Sequence, residues 1–274
     1  MYELGGKVAL VTGAAGQHGV GRAIALRLAR EGADVTVTDL RDERVGNWGG
    51  LSQVVGEIGE LGRSGLGCVG DVTNAGDVDR VVRQTLDRFR RIDILVNNAG
   101  SPAGPDRVQV IDLDEAVWDR VIDVNAKGTF LMCRAVARHM IARGGGGKIV
   151  NLSSSAGKRG RARFAAYSAS KFAVIGFTQS LAYELAPHRI NVNAICPGLV
   201  DTERVYGIAS GLKPEGVTVE AYREVLIEEA ASDTPLGRIA QPEDIAQAAA
   251  YLASAESDFM TGLAVNVSGG LHMV

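Results

Sequence analysis

A doubly wound α/β domain, with a parallel sheet covered by helices on both faces, is predicted by three observations on this chain of 274 residues. Short β-rich apolar runs alternate with helical periodicity along most of the chain. The first run breaks into a glycine turn that opens directly onto an amphipathic segment. No repeat, low-complexity tract or shift of composition separates a second module, so one domain over residues 1–274 is expected.

The runs Val8–Val11, Asp34–Thr38, Ile92–Val96, Lys148–Leu152, Asn191–Ile195 and Leu263–Val267 are bounded by turn residues and read as strands. Helical patterns lie between them at Gly21–Glu31, Val78–Phe89, Glu115–Met140, Ala169–Leu185 and Pro242–Ala253. Four glycines at 144–147 read as a helix stop before a strand. Residues 201–241 break the rhythm and hold a helical patch at Val219–Ala231, which suggests a lid or substrate loop.

Composition narrows the function classes. A formal charge of −3 gives no basic excess for nucleic acid or an anionic membrane surface, so a small-molecule substrate is expected. Cys68, Cys133 and Cys196 are odd in number and lack metal-ligand spacing, as buried reduced thiols would. No basic flank with an apolar core opens the chain, and no apolar run reaches the ~18 residues of a spanning helix. A soluble cytoplasmic protein with no bound metal is the expectation.

The glycine turn, "VTGAAGQHGVGRA", fails the spacing of the usual dinucleotide fingerprint, whose third position would fall on Ile24. A strand, a glycine turn and a helix start nevertheless suit a pyrophosphate, because free N–H groups and partial positive charge face it. Gly13, Gly19, Val20 and Gly21 are the candidate cradle, with Gly16, Gln17 and His18 bulging outward. A side chain at Gly21 is expected to intrude on the phosphate. Asp39 ends the next strand, twenty residues after Gly19, where a carboxylate can bind ribose hydroxyls and repel a 2′-phosphate. This favours NAD, although Arg22, Arg41 and Arg44 stand as alternative readers of a 2′-phosphate.

In "IVNLSSSAGKRGRARFAAYSASKFAV", Tyr167 and Lys171 are four apart on a helix and share a face. Ser154 closes the preceding strand, at the sheet end where ligands bind in open parallel sheets. A phenol becomes a competent base near neutrality only beside positive charge, which Lys171 supplies. A serine hydroxyl can hold the substrate oxygen as its charge develops. Ser153 and Ser155 point elsewhere by strand alternation.

Thr12-Gly13 with Gly19-Val20-Gly21, "NNAG" at 97–100, "VNAKG" at 124–128, Ser154, the Tyr167/Lys171 pair and "PGLVDT" at 197–202 together resemble the short-chain dehydrogenase/reductase family, in that family's order and over nearly the whole chain. The resemblance implies a Rossmann-like fold and an NAD-dependent secondary-alcohol dehydrogenase or ketone reductase. It implies that Asn125 completes a catalytic tetrad with Ser154, Tyr167 and Lys171, holding a water that relays protons. It places Asp71 and Val72 beside the adenine, and Asn98, Ala99 and Gly100 by the cofactor. Pro197, Gly198, Val200 and Thr202 would lie near the nicotinamide. It further implies a homotetramer paired through Glu115–Met140 and Ala169–Leu185.

Two features depart from the family pattern: two extra residues in the phosphate loop, and "RDERVGNWGGLSQ" with Trp48 after Asp39. Alternatives are an NADPH-dependent 3-oxoacyl carrier reductase and a non-catalytic nucleotide sensor. The run "KRGRAR" at 158–163 reads either as a solvated face or as an attractor of anionic substrates.

Overall fold

The computed structural model describes residues 2–42 and 46–273. Parallel strands β1 (Val8–Thr12), β2 (Asp34–Asp39), β3 (Gly65–Val69), β4 (Ile94–Asn97), β5 (Gly147–Leu152), β6 (Ile190–Pro197) and β7 (Ala264–Val267) form one sheet, ordered β3-β2-β1-β4-β5-β6-β7. The chain order reverses between β1 and β4, which leaves a crevice at their carboxyl ends. Val11 pairs with Val37 on one side and Val96 on the other, and every residue of β1 is buried. A central strand covered on both faces needs such an unbroken apolar run.

The helices are α1 (Val20–Arg30), α2 (Gly50–Glu60), α3 (Ala75–Phe89), α4 (Glu115–Ile122), α5 (Gly128–Arg143), α6 (Ala165–Leu185), α7 (Arg204–Leu212), α8 (Val219–Asp233) and α9 (Pro242–Ala253). One face of the sheet packs on α1, α2 and α9 through Ile24, Leu28, Val54, Ile58, Ile245 and Ala249. The other packs on α3, α5 and α6 through Val78, Val82, Met132, Val136, Leu181 and Leu185. The three cysteines are buried and unpaired; burial pushes the Cys68 thiol up to about 11 and the Cys133 thiol to about 12.

Every expected strand and helix is present, Pro242–Ala253 with the ends expected and the others with one or both ends shifted, and β3, α2 and α7 are additions. Edge strand β3 buries only Cys68, and two of its five residues are glycines, with Val69 its single β-branched residue, so its strand signal is weak. Helix α2 holds glycines at 50, 56 and 59, which weaken its helical signal. In α7, Gly207 and Gly211 press on another segment: a Cβ at either would lie 2.5 Å from the carbonyl oxygen of Ala103 or Gly104.

The expected helix Glu115–Met140 is α4 running into α5 through a π-helical turn at Asp123–Lys127. One widened turn leaves the apolar periodicity almost unchanged. Turns of this kind are frequent at functional sites. The glycines behind α5 act as read: Gly144, Gly145 and Gly146 have φ of 71°, 83° and 80°, stopping the helix before β5.

Candidate active site

Gly13 leaves β1 with φ +67°, and Asn98, just beyond β4, closes over it. Asn98 Nδ2 donates to the carbonyls of Thr12 (2.9 Å) and Gly13 (2.8 Å), while Thr12 Oγ1 accepts from the amides of Asn98 and Ala99 at 3.0 Å each. This lacing fixes both strand ends at the crevice. Helix α1 then starts at Val20 with no side-chain cap on Gly19 and no acidic residue in its first turn, which suits an anion.

Gly21 is required for a second reason. A Cβ there would lie 2.2 Å from the Gly13 carbonyl oxygen and 2.6 Å from Asn98 Nδ2, so a side chain would break the lacing from within. Residues 16–18 are exposed, as an outward bulge should be, yet they are anchored. His18 N donates to Glu203 Oε1 at 2.9 Å, and Arg22 Nη1 donates to the Gln17 carbonyl at 3.0 Å. Trp48 Nε1 donates to the Ala15 carbonyl at 2.6 Å and its ring lies under Arg22. The long connection after Asp39 therefore braces the long phosphate loop.

Asp39 receives hydrogen bonds from Ala15 N (2.9 Å) and Leu40 N (2.8 Å). Arg22 is engaged by Glu57 through two 2.8 Å contacts, Arg41 is exposed, and Arg44 lies outside the described residues. Asp71 caps its own turn by accepting from Thr73 N and Oγ1, both at 2.8 Å. Val72 packs so close to α5 that a Cβ on Gly128 would lie 2.7 Å from it.

Helix α6 begins four residues before the expected Ala169, so Tyr167 and Lys171 both lie in its first two turns. Lys171 is buried, donates to the Leu152 carbonyl at 2.7 Å, and lies 5.8 Å from the Tyr167 ring centre. Ser154 follows β5 on extended backbone and accepts from Ala156 N at 3.1 Å. Ser153 turns away and donates to the Lys171 carbonyl at 2.8 Å. Burial pushes the Tyr167 phenol up, but the charges of Arg204 and Lys171, a hydrogen bond with Ser154 and the charge of Arg107 outweigh it and hold the phenol below its ordinary 10.0. Burial likewise lowers Lys171, opposed by Tyr167 and reinforced by Arg204.

Asn125 is buried in the π-helical turn, and both ends of its amide are engaged. Its Oδ1 accepts from Ser101 N at 2.8 Å, and its Nδ2 donates to Ser170 Oγ at 2.9 Å, which donates in turn to the Tyr167 carbonyl at 2.7 Å. The side chain thus fixes the start of α6, and no hydrogen bond between Asn125 and Lys171 is present among the described residues.

A cavity of about 170 Å³ gathers Val20, Asn98, Gly100, Ser154, Tyr167, Lys171, Pro197, Gly198, Val200 and Thr202. Gly13, Gly19, Gly21, Asp39, Asp71, Val72, Ala99 and Asn125 lie outside its lining. The run at 158–163 is not one patch: Lys158 donates to the Ala264 carbonyl (2.6 Å), Arg163 to those of Arg107 (3.0 Å) and Gly211 (2.7 Å), and Arg161 lines the cavity. Two lining residues, Arg107 and Arg204, carried no signal in the sequence. Isolated arginines in loop-like contexts resemble any surface charge, and only folding brings them to Tyr167.

An open parallel sheet with an uncapped helix at its glycine turn, and a Ser, Tyr and Lys collected at neighbouring strand ends, define a dinucleotide-type oxidoreductase. Residues 13–272 match the family model described as Enoyl-(Acyl carrier protein) reductase. The chain is 40% identical over 276 residues to sorbitol dehydrogenase of Cereibacter sphaeroides, covering 99% of each. It matches the crystal structure of carveol dehydrogenase from Mycobacterium avium in complex with NAD with a TM-score of 0.90 and 30% identity over 99% of each chain. A variant of actinorhodin polyketide ketoreductase with NADPH matches with a TM-score of 0.86 and 36% identity over 97% of each. The chain belongs to the short-chain dehydrogenase/reductase family, and within it to the alcohol dehydrogenase and ketone reductase type.

Proposed function

We propose that this chain is an NAD-dependent dehydrogenase of secondary alcohols, or the reverse ketone reductase, acting as one domain with residues 201–241 as its substrate lid. The observation that carries the reading is the convergence of Tyr167, buried Lys171 and Ser154 on one cavity, where neighbouring positive charge and Ser154 hold the phenol below its ordinary value. A bound nicotinamide would supply the hydride acceptor or donor. Ser154 hydrogen-bonds the substrate oxygen, Tyr167 takes or gives the hydroxyl proton, and Lys171 stabilises the phenolate. Asn125 fixes the backbone of Tyr167 and, in the tetrad reading, supports the solvent relay to Lys171.

The cradle would be Gly13, Gly19, Val20 and Gly21. Asp71, Val72, Asn98, Ala99 and Gly100 would lie along the cofactor, with Pro197, Gly198, Val200 and Thr202 at its nicotinamide end. NAD is favoured because Asp39 sets a carboxylate beside the phosphate loop while Arg22 is neutralised by Glu57. A panel of secondary alcohols assayed with both coenzymes tests this reading. NAD should give the higher kcat/KM, and Asp39→Ala should narrow the gap; equal or better rates with NADP would overturn the coenzyme assignment, and no oxidation with either would overturn the activity.

A homotetramer is part of the same proposal. Trp118, Phe130, Ile141, Phe172 and Tyr183 on α4, α5 and α6 leave large apolar surfaces exposed, as surfaces that pair between subunits do. Sedimentation equilibrium should give four chains per particle, and a monomer at micromolar concentration would refute it. A cytoplasmic, soluble enzyme is the setting this reading assumes; among the described residues no helix is long and apolar enough to cross a membrane.

A further inference from the structure

We infer that the substrate carries a carboxylate, held by Arg107 and Arg204 beside the Tyr167 hydroxyl. The inference deepens the dehydrogenase reading and rests on it for the identity of the reacting carbon. Arg107, Arg161, Lys171 and Arg204 line the cavity, and among the described residues no aspartate or glutamate does. Such a cavity attracts an anion before any contact is made.

Arg107 is fully buried, with its guanidinium carbon 4.0 Å from the Phe164 ring centre and 4.8 Å from that of Tyr167. Its Nη1 pairs with buried Asp106, but Nε and Nη2 have no hydrogen-bond partner among the described residues. Arg204 stands 4.8 Å from the same Tyr167 ring, donates through Nη1 to the Ser101 carbonyl, and leaves a buried Nη2 without a partner. Among the described residues it has no carboxylate in ion-pair range.

A buried guanidinium with unmade hydrogen bonds is costly, so its position has to be enforced by the surrounding fold. Here the enforcement is visible. Gly207 and Gly211 let α7, which starts at Arg204, press onto the backbone of 103–104, and Arg163 ties the Arg107 carbonyl to that of Gly211. Asp106 neutralises Arg107 alone, which leaves the charge of Arg204 uncompensated. A planar carboxylate would complete the unmade hydrogen bonds of guanidinium groups in the geometry they favour. Both groups reach the same ring, so the carboxylate belongs close to the reacting carbon, in a short hydroxy or oxo acid.

The test compares pyruvate, acetoacetate and levulinate with their methyl esters, and sorbitol in the oxidative direction, using NADH, NADPH or the oxidised forms. At least one acid should exceed its ester in kcat/KM by about 10-fold or more, and Arg204→Gln should cut that acid-to-ester ratio by about 10- to 100-fold, the range of a charged hydrogen bond. Taking the ratio cancels any effect of Arg204 on proton transfer, which falls on both substrates alike. Arg107→Lys, which keeps the charge and removes the planar fork, should lower the same ratio.

Binding of the acids to coenzyme-free enzyme is measured in parallel by calorimetry, as a readout independent of turnover. An acid that binds more tightly than its ester, and loses that advantage in Arg204→Gln, upholds the carboxylate site even if no coenzyme supports reduction; the redox reading then fails alone. If no acid surpasses its ester in rate or binding, whether or not sorbitol is oxidised, the carboxylate proposal is overturned.

Discussion

Tyr167→Phe lowers kcat by ~10²-fold or more in the expected outcome, while NADH binding measured by fluorescence titration stays close to wild type. The substitution removes one oxygen and keeps the ring that lies under Arg107 and Arg204. Any loss therefore reports the hydroxyl itself. Lys171→Ala should lose both turnover and coenzyme affinity. The pH profile gives a second reading of the same group. Because the phenol lies below its ordinary 10.0, the base form is populated at lower pH, and alcohol oxidation should rise with pH and level off below pH 10.0. Arg204→Gln removes the largest charge that lowers the phenol, so the rising limb should move to higher pH. Turnover of the Phe variant above about a hundredth of wild type would rule out general acid-base catalysis by Tyr167.

Gly21→Val carries the other large expected effect. Its first side-chain carbon would meet the Gly13 carbonyl oxygen at 2.2 Å, and Asn98 Nδ2 could not stay at 2.6 Å, so Gly13, Asn98 or the start of α1 must move. Overpacking of this kind costs roughly 1–3 kcal/mol of stability. The larger consequence is functional, because the displaced groups shape the helix start that would face the pyrophosphate. NADH affinity should fall by about tenfold or more, an estimate equivalent to ~1.4 kcal/mol of lost binding. Gln17→Ala should leave it nearly unchanged, since the Gln17 contact to Arg22 is made by its backbone carbonyl. A Gln17 variant that binds NADH worse than the Gly21 variant would refute this account of the loop.

The sequence by itself determined the parallel α/β class and family membership, because both are written locally. Strand periodicity, glycine punctuation and the four-residue step from Tyr167 to Lys171 depend on neighbours in the chain. Even the outward bulge at 16–18 could be read from a two-residue excess between glycines of fixed purpose. The second reason for Gly21 could not, since the atom it must avoid belongs to Gly13 and is held in place by Asn98, from another strand.

Tertiary structure alone decided the π-helical turn that buries Asn125, the bracing of the phosphate loop by Trp48 and Glu203, and the dispersal of the basic run. It brings Arg107 and Arg204 to the cavity beside Arg161, the one member of that run that lines it. Lys158 and Arg163 are engaged with backbone carbonyls, whereas Arg107 and Arg204, 97 positions apart in the chain, meet over one ring. Charge at a site depends on which side chains converge and which carboxylates are left outside. A linear sequence holds the charges, and the packing of α7 against residues 103–104 decides where they act.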